Sequence, residues 1–348
     1  MDRLELSEHE LKAKIRSHLP PDAFQKRPWR LLFIIPAATV IVLVSILLVM
    51  SIEQWYTRVA VSFILGNLYI ALMLFGHEVS HGAVTDNRFL RYASLYVSFL
   101  IYMIPPQLWR IWHNTAHHAH ANEEHVDPDS FGTIAEYTGS FADRWILKVG
   151  PGSGWWASAI SLCVGLTAQA QSVLWRKTQA PERRKIFARF SKSIAVTESA
   201  LMAAFWLGLS LYIGLADALF VVLLPMLFAN GVIMCYVVTN HSLCPVGDPS
   251  DSLTTTMSVR TTKFLDFIHL HFSHHVEHHL FPALSHRYFP MVRKVLKQYA
   301  SDRYMAPPHW KALMMVFTTP KLYDPQGKFV NPLTRQQRSI ANIAENLR

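Results

Sequence analysis

The sequence predicts an all-α integral membrane protein: four transmembrane helices arranged as two hairpins, with a cytoplasmic helical cap that carries the histidine-rich segments. Three observations predict it. The chain of 348 residues is 51% hydrophobic and only 16% charged, too apolar for a soluble protein of this size. Two pairs of long uncharged runs are each joined by a few residues. Of the 33 lysines and arginines, all except Arg58 fall in residues 1–30, 76–198 and 239–348, the segments that four spans leave on one side.

Taken in order, residues 1–30 form a polar, charged N-terminal segment without the pattern of a cleaved signal peptide. Residues 31–52 are an uncharged run of 22 residues, about 33 Å long as a helix, enough for the hydrocarbon core. After "EQWYTR", with Trp55 and Tyr56 suited to the interface, a second span covers 59–75. Spans at 199–215 and 218–238 make the second hairpin, with Gly214 and Asp217 near the turn. The membrane domain is expected over 31–310, its cap built from 76–198 and 239–310. Residues 311–348 are expected to be a cytoplasmic tail. Two further apolar stretches, Ala93 to Ile104 and Gly154 to Trp175, are short or studded with polar residues. They are expected to lie at the interface or on the bundle.

The distribution of basic residues places both termini and the middle segment in the cytoplasm. It also explains the net charge of +9 as mainly a topology signature, with anionic lipid and an acidic protein partner as further uses. No phosphate-binding loop or dinucleotide fingerprint is present, and no nucleic-acid partner is expected. Cys163, Cys235 and Cys244 have neither a metal spacing nor a disulfide framework, consistent with a reducing interior.

Three clusters of histidine carry the chemistry. "GHEVSHG" supplies His77 and His81. "HNTAHHAH" supplies His113, His117 and His118. "HVEHH" supplies His275, His278 and His279. Residues spaced i, i+3 or i, i+4 share a helix face, so each cluster can aim two or three imidazoles in one direction. Imidazole suits Fe, Cu, Zn and Ni; eight ligands are too many for one ion and sensible for two. Structural zinc is content with four ligands and usually recruits cysteine. A pair of iron ions, able to activate dioxygen, fits better. His9, His18 and His309, and also His120, His125, His269, His271 and His274, are read as ordinary core or surface residues. A membrane metal transporter would place polar ligands at mid-bilayer, and the four spans hold no histidine or lysine.

These clusters resemble the three histidine boxes of the membrane-bound fatty acid desaturases: His77-x3-His81, His113-x3-His117-His118 and His275-x2-His278-His279, with "DPD" at 127–129 and "HHLFP" as flanking sequence. The resemblance covers roughly residues 30 to 310. It implies a histidine-ligated di-iron oxidoreductase that uses O2 to place a double bond in a fatty acyl chain. A hydroxylase or related oxygenase on the same scaffold is the alternative. It further implies His241, in "TNHSLCP", as a ninth ligand with Asn240 beside it. Where some members have an asparagine four residues before that histidine, this chain has Val237. The third box opens with His275 and not glutamine, unlike front-end desaturases. No HPGG marks a fused haem domain, so electrons are expected from a separate carrier of ferredoxin or cytochrome b5 type. The acyl group is expected on a lipid, CoA or a carrier protein, and the location is expected to be a bacterial plasma membrane in preference to endoplasmic reticulum.

Unactivated C–H bonds offer no handle to a base or nucleophile. The protein's part is therefore ligand geometry, support around the ligands and exclusion of water. Glu78, Asp127, Asp129 and Glu277 are candidate acceptors for the outer N–H groups of the ligating histidines. Asn67 and Asn230 are expected to hydrogen-bond between helices. Leu74, Phe75 and Met234 are candidate linings of an acyl tunnel.

Overall fold

Each of the four apolar runs becomes a helix in the computed structural model, which describes residues 6–130, 132–139, 141–246, 250–320, 322–332 and 334–348. Helices long and apolar enough to cross a membrane cover Pro28–Met50, Trp55–Ser80, Lys192–Ile213 and Leu215–His241. The first opens as a 3-10 turn, Pro28–Phe33, with proline where a missing N–H costs nothing. The second and fourth run past their uncharged windows, from Phe75 to Ser80 and from Val238 to His241. A helix of 26 residues is about 39 Å long, more than the hydrocarbon thickness of about 30 Å. The excess carries His77.

Burial separates the spans into two kinds. In their most apolar windows the second and fourth are 56% and 44% buried, the first and third 11% and 22%. The second and fourth therefore pack centrally against each other, and the outer two present apolar faces outward. The central contact is close because Gly66 lacks a side chain: a Cβ there would lie 2.6 Å from Phe228 and 3.2 Å from the Pro225 carbonyl. Small residues at such crossings are how helices approach in lipid. At Gly76 a Cβ would lie 2.4 Å from that of Ser98, which brings the helix Arg88–Phe99 against the second span.

The two ambiguous apolar stretches pack on the bundle. Arg88–Phe99 has 12 residues, about 18 Å of helix, too short to span. It ends in a 3-10 turn, Leu100–Tyr102, and a left-handed Met103. Ser158–Val164 and Gly165–Trp175 lie against the fourth span. There Asn230 Oδ1 accepts from the Thr167 amide (2.9 Å) and hydroxyl (3.2 Å), the inter-helix role expected of it. Asn67 Oδ1 faces His269 Nε2 at 3.3 Å.

A second, smaller core lies away from the spans. Leu11 and Ile15 of the helix Glu8–His18 pack on Val292, Val295 and Leu296 of Phe289–Tyr299. Beyond residue 310 the chain is structured: the helix His309–Thr318 packs on the fourth span, and three two-residue strands form an antiparallel sheet. Tyr323 of that sheet donates to the Cys244 carbonyl at 2.6 Å. Those strands are too short to leave a period-2 pattern in sequence.

Candidate metal centre

All nine histidines singled out in the sequence meet in two groups, buried except for the half-buried His81 and His118. His77, His81, His113, His118 and His278 form one; His117, His241, His275 and His279 form the other. Within each, the possible ligand nitrogens lie within 4.8 Å of one another. Nε2 atoms face each other at 2.7 Å (His77, His113), 3.2 Å (His113, His118) and 3.0 Å (His118, His278) in the first. In the second they do so at 2.6 Å (His241, His275) and 3.1 Å (His275, His279).

Such convergence suits a cation. Metal–imidazole bonds of about 2.1 Å put neighbouring ligands about 3 Å apart and opposite ones about 4.2 Å apart. The observed spacings fall in that range. Without a cation, lone pairs would oppose one another in a dry interior, a costly arrangement. The donor sets contain nitrogen and no sulfur, with five nitrogens in one group and four in the other, as transition metals that take imidazole require.

The second and third boxes are each divided between the groups. The cause in the second is a π-helical turn, Trp112–His117, in which the His118 amide bonds to the His113 carbonyl five residues back. A wider turn stacks residues five apart, so His113 and His118 share a group while His117 turns to the other. In the third box, His275 and His279 sit four apart on one face of the helix His275–Leu280, and His278 points to the first group. The expectation that each box aims in one direction holds for His77 and His81 alone.

The acidic residues take different places. Asp127 is fully buried and receives His117 Nδ1 at 3.1 and 3.2 Å, with the amides of Asn122 (2.8 Å) and Asp129 (2.9 Å). A carboxylate only accepts, so the proton sits on Nδ1 and Nε2 is left free for a metal. Asp129 stands 3.5 Å from His117 Nδ1 and is held by Trp112 Nε1 and Gln169 Nε2, both at 2.6 Å. Glu78 instead binds Arg30 through two bonds of 2.7 Å, with His286 at 3.7 Å. Glu277 receives Arg293 Nε (2.8 Å), Tyr304 (2.6 Å) and Ser258, and so anchors the third box from behind. Asn240 is fully buried beside His241, and its amide has no hydrogen-bond partner among the described residues.

Outside the spanning helices, electrostatics keep the ligand nitrogens neutral at every candidate except His117. Burial, and then mutual proximity, holds His81, His113, His118, His275, His278 and His279 well below the ordinary imidazole pKa. His117 goes the other way. Burial opposes its charge, but Asp127 and Asp129 outweigh that and raise it to about 9. Of the candidate tunnel residues, Leu74 lines a cavity with His77, Phe75 lines a groove nearby, and Met234 packs on Gly165.

Arg30, Asn122, His286 and Arg293 were not singled out in the sequence. Asn122, at φ 55, donates to the carbonyls of His241 (3.2 Å) and Thr255 (3.1 Å), tying the loop after the second box to the end of the fourth span. Arg30 carried one signal, as the last charge before the first span.

The fatty acid desaturase family matches residues 53–310. Among curated relatives, the Sorghum bicolor protein named "Probable fatty acid desaturase DES1" is 27% identical over 115 residues, 33% of this chain and 29% of its own length. The omega-3 fatty acid desaturase, endoplasmic reticulum, of Nicotiana tabacum is 27% identical over 112 residues (32% and 30%). The sn-2 acyl-lipid omega-3 desaturase (ferredoxin), chloroplastic, of Helianthus annuus is 26% identical over 136 residues (39% and 30%). These matches thus span less than a third of the relatives' own length. The family match reaches across both central spans and all three boxes, and the chain belongs to the fatty acid desaturase family.

Proposed function

We propose that the chain is an oxygen-dependent desaturase that places a double bond in a fatty acyl chain at a di-iron centre. The single observation that carries this reading is the meeting of nine imidazoles, seven buried and two half-buried, in two groups, in a chain of this family. His77, His81, His113, His118 and His278 would hold one iron; His117, His241, His275 and His279 would hold the other. Asn240, buried and with its amide unpartnered among the described residues, stands ready beside His241 to bind a water or a metal.

Bound iron supplies the oxidising power that unactivated C–H bonds require. The balance is one –CH2–CH2– unit, one O2, two electrons and two protons giving –CH=CH– and two waters. The chain's own residues do the rest. Asp127 fixes the His117 tautomer, and the Glu277–Arg293 pair seats the third box. Burial of the histidines excludes water that would quench the oxidant. Electrons come from a separate carrier; the relatives include one whose name specifies ferredoxin. The four spans form two hairpins, and the prevalence of Lys and Arg outside them puts both termini, the helical cap and the metal centre on the cytoplasmic side. An acidic carrier would meet that basic face by complementary charge.

Expression in a host lacking its own desaturase, together with an electron donor, tests the reading. New unsaturated chains are expected with the wild type, and none with His118→Ala, which should still reach the membrane. Hydroxylated chains would favour the oxygenase alternative, and an unchanged lipid profile with an active donor would refute the assignment.

A further inference from the structure

An open groove of about 470 Å³ runs beside the metal centre, a size typical of small-ligand sites. Trp29, Leu32, Phe33 and Pro36 from the start of the first span wall it, with Phe75 of the second span and Leu270 opposite. Trp29, Leu32 and Phe33 are 65%, 61% and 41% exposed, so the groove opens on the outward apolar face of the first span. Behind it lies a second cavity of about 20 Å³, room for about one water. His77 and His278 of the first histidine group line that cavity.

The two spaces share walls. Leu270 and His286 line both; Arg30 lines the groove and Glu78 the inner cavity. The Arg30–Glu78 ion pair, two bonds of 2.7 Å, therefore stands across the route from groove to metal. Leu270 and His271 both hold left-handed backbone, φ 46 and 56. A leucine rarely stays there unless its surroundings force it, and such strain collects at sites that switch.

Resting on the desaturase reading, we propose that this groove is a sideways port through which the acyl chain of a bilayer phospholipid reaches the metal centre, with Arg30, Glu78 and Leu270 as its inner gate. The chemistry selects this occupant. The port faces the lipid side of a membrane helix, whereas a water-soluble thioester would arrive from the aqueous side. Its walls are apolar except for Arg30 and His286. When the gate opens, Arg30 exchanges a carboxylate partner for a lipid phosphate and remains charge-paired.

The test uses the full chain in phosphatidylcholine nanodiscs doped with phosphatidylcholine that bears a diazirine midway along one acyl chain. After irradiation, label is expected to be enriched on peptides containing Trp29–Pro36, Phe75 and Leu270 over peptides of the third span. Leu32→Trp, at an exposed position, narrows the groove and should lower that labelling about tenfold, the effect of excluding a well-packed apolar contact, with metal content unchanged. Equal labelling of first and third spans, undiminished labelling in Leu32→Trp, or complete competition by a long-chain acyl-CoA would each overturn the port. Labelling requires no turnover. A chain labelled in the groove that makes no double bond would keep the port and fail the desaturase reading; a chain that desaturates but is labelled elsewhere would do the reverse.

Discussion

His117 depends on one carboxylate more than any other ligand candidate does. Asp127 fixes its tautomer while also holding the amides of Asn122 and Asp129, so the loop and the imidazole are set by one group. In Asp127→Asn the charge and one acceptor oxygen are lost. Disturbing such an outer partner typically costs about 10–100-fold in metal affinity or activity. Iron per chain and turnover should fall together in that range, with the protein still inserted in the membrane. Unaltered iron content would separate Asp127 from the metal site. Glu277 has a different role. It is fully buried and its partner Arg293 also donates to the carbonyls of Val259 and Ser273. Glu277→Gln leaves a buried guanidinium without its counter-charge, which costs about 3–5 kcal/mol. A clear drop in thermal midpoint is expected, with any loss of iron secondary to unfolding.

At the scale of elements, the wide turn at Trp112–His117 decides how ligands are shared. Thr115 is an exposed residue in that turn. Deleting it should restore an ordinary helical turn, in which His113 and the former His118 become four apart and stay aligned. The former His117 would then lie three from His113, on the same face and away from His241, His275 and His279. The second group would keep three imidazoles. Iron content is expected to fall from two per chain towards one; retention of two would show that the turn is not what divides the box. This element also marks a limit of sequence reading. The eight box histidines were legible because their density and spacing stand out against an apolar chain; His241, alone in its segment, was legible through the family resemblance. Their division into five and four was not, because an i+5 hydrogen bond leaves no periodic signature. Arg30 with Glu78, and Arg293 with Glu277, were illegible for another reason: the pairs lie 48 and 16 residues apart, beyond any helical spacing, and a lone arginine before a span looks like topology. The four spans were found from apolar windows, but their helices run on because backbone hydrogen bonding does not stop where hydropathy does, and those extensions carry His77 and His241.

For the whole molecule, so many neutral buried imidazoles make the metal-free protein sensitive to acid. The direction follows from the folded-state pKa values. His274 and His286 are lowered to about 4, burial being the main cause, and His81, His113, His118, His275, His278 and His279 lie well below their ordinary value. Unfolded, each would take up a proton near pH 6.5. As pH falls through 6.5 towards 4, the unfolded chain binds protons that the folded chain refuses, and stability is lost over that window. His117, raised to about 9, contributes the opposite slope, favouring the fold below 6.5 and losing that contribution as pH rises to 9. One group running that way does not offset eight. Metal binds the neutral imidazoles of the folded chain, so it should raise the midpoint at neutral pH and be released as acid competes for the same nitrogens. Thermal unfolding of chelator-treated protein is therefore expected to show a midpoint that declines steadily between pH 6.5 and 4.5, and iron-loaded protein should start higher and converge on the same curve. A flat profile for the metal-free chain would mean that water reaches those rings and protonates them in the folded state, and the dry, two-group centre would have to be abandoned.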